Sequence, residues 1–145
     1  MNDTMYTLEE IAALRQKCAE LQLEGREILE KYSDAELQKI CNGIGPDSFS
    51  KTMRSLVTNL HPTLEVVAFI HDVEFEESDG TKESFTKSND RYYTNGCISA
   101  KAEYAWYNPT RYVVIAQALR HSLTCQKFGW DGYKKQGDKN VESTF

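Results

Sequence analysis

Apolar residues fall at Leu8, Ile11, Ala12, Leu14, Cys18, Leu21, Ile28 and Leu29, with charged residues between them. Steps of three and four gather these positions on one stripe of a helix. Thr7-Leu-Glu-Glu10 opens the run as a capping box, in which the Thr7 hydroxyl takes a free N–H and Glu10 reaches back to the cap. A helix is therefore predicted over 7–32, with Gly25 as its weak point. Ser33-Asp-Ala-Glu36 repeats the box and opens a short helix through Leu37 and Ile40. Cys41-Asn-Gly-Ile-Gly-Pro-Asp47 ends it, because its glycines and proline cannot continue a helical backbone. Phe49, Met53, Leu56 and Val57 then lie on one side of a helix expected from about Ser48 to Leu60.

Pro62 pre-sets the first turn of the next helix. Leu64, Val67, Ala68, His71 and Phe75 step along one face of it as far as the turn signal Ser78-Asp-Gly80. Phe85, Asn89, Tyr92, Tyr93 and Gly96 mark a further helical stretch to about Tyr107, which Gly96 could divide in two. Asn108-Pro109 starts the last long helix, over 109–130, with Tyr112, Val113, Ile115, Ala116, Leu119, Leu123 and Cys125 as its apolar face. The polar residues 134–145 predict a frayed, disordered tail. No segment has the alternation of a strand, so the expectation is a single all-α domain over 1–145.

Composition narrows the partners. The net charge is −5, with both signs mixed along the chain, which argues against the basic face that a nucleic-acid partner selects. No apolar run is long enough to span a membrane, and the start of the chain lacks the pattern of a signal peptide. Cys18, Cys41, Cys97 and Cys125 are widely spaced and form no Cys-x-x-Cys pair, so they read as reduced thiols of an intracellular protein. The first helix is a candidate for oligomerisation as well as for packing on its own domain.

Candidate chemistry centres on Phe69-Ile-His-Asp-Val-Glu-Phe75. Neighbouring residues on a helix point about 100° apart, so His71 and Asp72 cannot serve each other as base and orienter. They can serve adjacent tasks, His71 facing a substrate water and Asp72 facing a metal ion beside it. The carbonyls of a loop such as Asn42-Gly43-Ile44-Gly45 can converge on a calcium ion, although the same glycines suffice for a plain helix stop. The helix carrying Asn89 and Asp90, if antiparallel to the His71 helix, can hold the second imidazole nitrogen and fix its tautomer. Asparagine would hold the ring but leave an imidazolium unbalanced, at a cost in rate. Taken alone, a His-Asp pair is more readily a satisfied histidine on a half-buried helix face, with Asp72 exposed. His61 reads as a cap or surface residue, and His121 as a packed or surface one. The three histidines lack the paired spacing of a zinc site. Tyr104, Trp106, Tyr107 and Tyr112 could form an interfacial aromatic patch, or simply pack with a few rings exposed.

Taken together, Pro62, Val67-Ala68, His71-Asp72, Phe75, Gly80, Phe85, Ser88-Asn89-Asp90 and Tyr92 resemble the core of the phospholipase A2 superfamily, in particular the short, disulfide-poor type of parvovirus capsid proteins. The Cys-Asn-Gly-Ile-Gly-Pro and Phe-Ile-His-Asp stretches also resemble short uncharacterised proteins encoded in prophages. The resemblance spans 41–93 and implies a phospholipase A2-like core of two antiparallel helices with a Gly-rich loop, flanked by additional N- and C-terminal helices. It implies a calcium-dependent phospholipid ester hydrolase. His71 would be the general base and Asn89 its partner on the second helix. Asp72 would bind calcium together with the carbonyls of Gly43 and Gly45 and with Asn42. Phe75 stands where that family has a tyrosine, and Asn89 where it has an aspartate. The alternative is a catalytically inactive phage structural or interaction protein that keeps the fold. The partners implied are a phospholipid membrane surface or a phage or host protein, in the host cytoplasm or in the phage particle.

Overall fold

The structure is a computed structural model, and it describes residues 6–42 and 60–143. The chain is all-α, and the described residues contain no strand. The elements are α1 (Leu8–Leu21), a 3-10 segment (Arg26–Lys31), α2 (Asp34–Asn42), a 3-10 turn (Pro62–Leu64), α3 (Glu65–Glu76), α4 (Lys82–Glu103), α5 (Pro109–Phe128) and α6 (Trp130–Ser143). Gly43, Gly45 and the helix expected up to residue 59 lie outside the described residues.

Caps set most of the boundaries. At α1 the Thr7 hydroxyl accepts from Glu10 N and the Glu10 carboxylate accepts from Thr7 N. Ser33 and Glu36 make the same exchange at α2. Asn108 caps α5 by accepting from Thr110 N, and Pro109 fills the first helical position. His61 caps the short turn before α3, its Nδ1 accepting from Thr63 N.

The expected first helix over 7–32 is shorter than its periodicity suggests. It ends at Leu21, where Gln22 adopts a left-handed backbone at φ 52°. Gly25 follows at φ 83°, and a tighter 3-10 turn replaces the α-helix. This break inserts the fully buried Leu23 into the core, and Arg15 then ties the ends together by donating to Leu29 O and Tyr32 O. The expected disordered tail is also corrected. Residues 130–143 form α6, with Tyr133, Gln136 and Gly137 buried. Asn140 Nδ2 donates to Glu76 O and Ser78 O, and so supplies partners to carbonyls at the end of α3. Gly96 does not divide α4, which runs unbroken from Lys82 to Glu103.

α3, α4 and α5 form the centre of the molecule. Contacts between α3 and α4 pair Phe75 with Phe85 and His71 with Asn89, so the numbering runs in opposite senses and the helices are antiparallel. Tyr92 meets His121, and Ser122 meets Asn89, which makes α4 and α5 antiparallel too. Closeness at the second crossing depends on Gly96, where a Cβ would stand 2.4 Å from the Ala118 Cβ. One apolar cluster joins α1 and α2 to α3 through Ile11, Cys18, Leu37, Val67 and Ile70. A second gathers Phe75, Phe85, Cys125 and Tyr133 where α3 to α6 meet. Burying each of these large side chains contributes about 1.5–3 kcal/mol.

Candidate functional site

α3 is buried nearly all round, and this places His71 and Asp72 inside the molecule rather than on its surface. His71 is 3% exposed, Asp72 6% and Asn89 1%. The His71 ring lies 4.3 Å from the Phe75 ring and 5.1 Å from the Tyr92 ring, centroid to centroid. Its Nε2 is 2.9 Å from Asn89 Oδ1.

Asn89 Nδ2 donates to Gln126 Oε1 at 2.8 Å, and Gln126 Nε2 donates to Thr86 Oγ1 at 3.0 Å. With the Asn89 amide in this orientation, Oδ1 accepts from His71, so Nε2 carries the proton and Nδ1 does not. Ser122 Oγ donates to Asn89 O at 2.7 Å. The result is a relay of side chains that ties α3 to α4 and α4 to α5. Burial pushes His71 down to about 4, against the raising effect of its bond to Asn89. The ring is therefore neutral at neutral pH, and a weak base.

Asp72 faces the same interior. Burial pushes Cys125 up to about 12, and the Asp72 carboxylate adds to that shift. Tyr92 is raised by burial, then by Cys125 and Asp72. The Tyr92 hydroxyl is 3.1 Å from His121 Nδ1, so the packed reading of His121 holds.

Of the residues expected to hold calcium, Asn42 and Asp72 lie in the described part of the chain. Asn42 uses its side chain elsewhere, with Oδ1 accepting from Tyr6 N and Nδ2 donating to Tyr6 O. Gly43 and Gly45 lie outside the described residues. Among the described residues no three His, Cys, Asp or Glu side chains form a metal-binding group. Calcium takes six to eight oxygens, and the loop expected to supply carbonyls beside Asp72 lies outside the described residues, so no chemical step is derived through the ion.

Two clefts lie away from these residues. One, of about 640 Å³, is lined by Gly25, Lys31, Glu74, Ser88 and Arg91 among others. Burial pushes Glu74 up to about 7, against the lowering effect of the Arg91 guanidinium that donates to it. Gly25 makes room for that pair, since a Cβ there would stand 2.8 Å from Arg91 Cδ. The second, of about 350 Å³, runs along the outer side of α5. Neither is lined by His71, Asp72 or Asn89. The Glu74–Arg91 pair was not singled out by sequence reasoning, although Glu74 lies one turn beyond Ile70 on a helix with buried residues on every side. A carboxylate in such a helix is itself a signal of a buried partner.

No family model, no curated protein and no solved structure matches this chain.

Proposed function

We propose that this chain is a non-catalytic helical interaction protein in which the His71–Asn89 pair fixes the packing of α3 on α4. The supporting observation is the 3% exposure of His71, with Nε2 committed to Asn89 and the ring set between Phe75 and Tyr92. An ester carbonyl and an attacking water need space beside the imidazole, and a base needs a pKa close to the working pH. Burial opposes both. The asparagine also suits a neutral ring better than a charged one, because it accepts one hydrogen bond and adds no charge. Partners would be phage or host proteins, as the prophage resemblance implies.

A second reading has one specific observation in its favour. Asn89 holds Nε2, which leaves Nδ1 as the unprotonated nitrogen, the tautomer that a general base requires. On that reading the chain is a calcium-dependent phospholipid ester hydrolase of the phospholipase A2 type. His71 is its base, and Asp72 with Asn42, Gly43 and Gly45 forms its calcium site.

Hydrolysis of phospholipid vesicles, with calcium and then with chelator, separates the two. The interaction reading predicts no chelator-sensitive fatty-acid release from the wild type or from Asn89→Asp. Calcium-dependent release by the wild type, lost in a folded His71→Gln variant, would overturn it.

A further inference from the structure

α5 is apolar on both sides. Its inner side places Val114, Ala118 and Cys125 against the rest of the molecule. Its outer side exposes Tyr112 at 54%, Val113 at 62%, Leu119 at 43% and Leu123 at 59%, with Ala116 also exposed. A contiguous apolar stripe on the side of a helix turned away from its own core marks a contact surface. Trp106 and Tyr107 continue the exposed surface at the start of the helix, where the Tyr112 hydroxyl donates to Trp106 O.

The spacing of the outer residues is specific. Tyr112, Ala116, Leu119 and Leu123 follow one another at steps of four, three and four, which is the seam spacing of a helix that packs along another helix. The small Ala116 lies within this seam. Beside it Leu119, Leu123 and Phe128 line a depression of about 350 Å³ that can receive side chains from a facing helix. Arg120 and Lys127 line the same depression, seven residues apart, so both stand on one edge of the seam. α5 also carries Arg111 and contains no Asp or Glu, although the chain as a whole has 22 acidic residues against 17 basic ones.

We infer that the outer face of α5 docks an amphipathic helix of another protein, with apolar seam residues and glutamate or aspartate along the edge that meets Arg120 and Lys127. Charges at seam edges decide which helices pair and in which orientation. A second copy of this chain is disfavoured on that ground, because an antiparallel pairing of α5 with itself would set Arg120 and Lys127 against the same two cations. The inference names the surface and partner chemistry for the interaction reading and rests on that reading. The face contains none of His71, Asp72 and Asn89, however, so the vesicle assay and the experiment below can fail separately.

The test uses two labelled synthetic helices about three heptads long, with leucine along the seam and either glutamate or lysine on both edges. Fluorescence anisotropy with the intact protein should show the glutamate helix binding at least about tenfold tighter than the lysine helix, with the preference shrinking as salt is added. Leu119→Ser combined with Leu123→Ser should weaken binding at least about tenfold while circular dichroism stays unchanged, since both side chains are exposed. Arg120→Glu combined with Lys127→Glu should reverse the preference. Equal binding of the two helices, or binding indifferent to either double substitution, would overturn the inference. A dimer in sedimentation that the leucine substitutions dissociate would overturn it in favour of a second copy. Capture by phosphatidylglycerol vesicles that displaces the glutamate helix would overturn it in favour of a lipid surface.

Discussion

His71 and Glu74 sit one turn apart on α3, and burial moves both toward their neutral forms, with opposite consequences for stability. His71 falls from 6.5 to about 4 on folding. Between those values the unfolded chain binds a proton that the folded chain does not, so stability falls as pH is lowered through that window, by on the order of 3 kcal/mol in full. Glu74 rises from 4.5 to about 7, so its stabilisation is complete at low pH and is lost as pH rises through that window. In the wild type the two slopes oppose each other between about 4.5 and about 6.5. Urea denaturation across this range should separate them. Glu74→Gln should leave a profile that declines steadily toward acid. His71→Leu should leave one that declines toward pH 7, and should also cost about 1–3 kcal/mol by leaving Asn89 Oδ1 without its donor. A Glu74→Gln profile that is flat below pH 6.5 would mean that His71 is not held neutral.

Among the elements, helix pairs stand or fall on close approach. Gly96→Ala would put a Cβ 2.4 Å from the Ala118 Cβ. The overpacking should cost about 1–3 kcal/mol and outweigh the gain in helix propensity of about 1 kcal/mol. A thermal melt unchanged or raised by this substitution would contradict the observed crossing. At Gly137 an added Cβ would stand 2.3 Å from Gly80 N and 2.4 Å from Gly80 Cα, which is backbone and cannot swing away. Gly137→Ala should therefore loosen α6, read as faster hydrogen exchange over 130–143 with α4 and α5 still protected. Much of this architecture is legible in the sequence. The capping boxes at Thr7 and Ser33, the Asn108-Pro109 start of α5 and the spacing from Leu64 to Phe75 all carry local signals that the structure reproduces. Gln22 carries no such signal. Its left-handed turn is set by the burial of Leu23 after it. α6 was missed for a related reason. Its polar residues from 134 onward read as a tail, while tertiary contacts of Tyr133, Gln136 and Asn140 hold it as a helix.

At the scale of the whole molecule, the His71–Asn89 pairing could be anticipated, because two helices joined by a tight turn bring positions 71 and 89 to the same level. Burial could not, since it depends on α5 and α6 closing over the same end of α3 and α4. That closure leaves His71, Asp72 and Asn89 at 3%, 6% and 1% exposure, where the four helices meet. None of the described helices is long and apolar enough to cross a membrane, and the outer side of α5 is an exposed apolar stripe among the described residues. On the proposed interaction reading the interior serves structure and the surface serves binding, and that reading depends on the state of one ring. Nuclear magnetic resonance of the His71 imidazole, followed through a pH titration with and without calcium, reads that state directly. The interaction reading predicts a neutral ring protonated on Nε2, titrating near 4 and indifferent to calcium. A ring that titrates at or above 6.5, or whose resonances move with calcium and return with chelator, would contradict it.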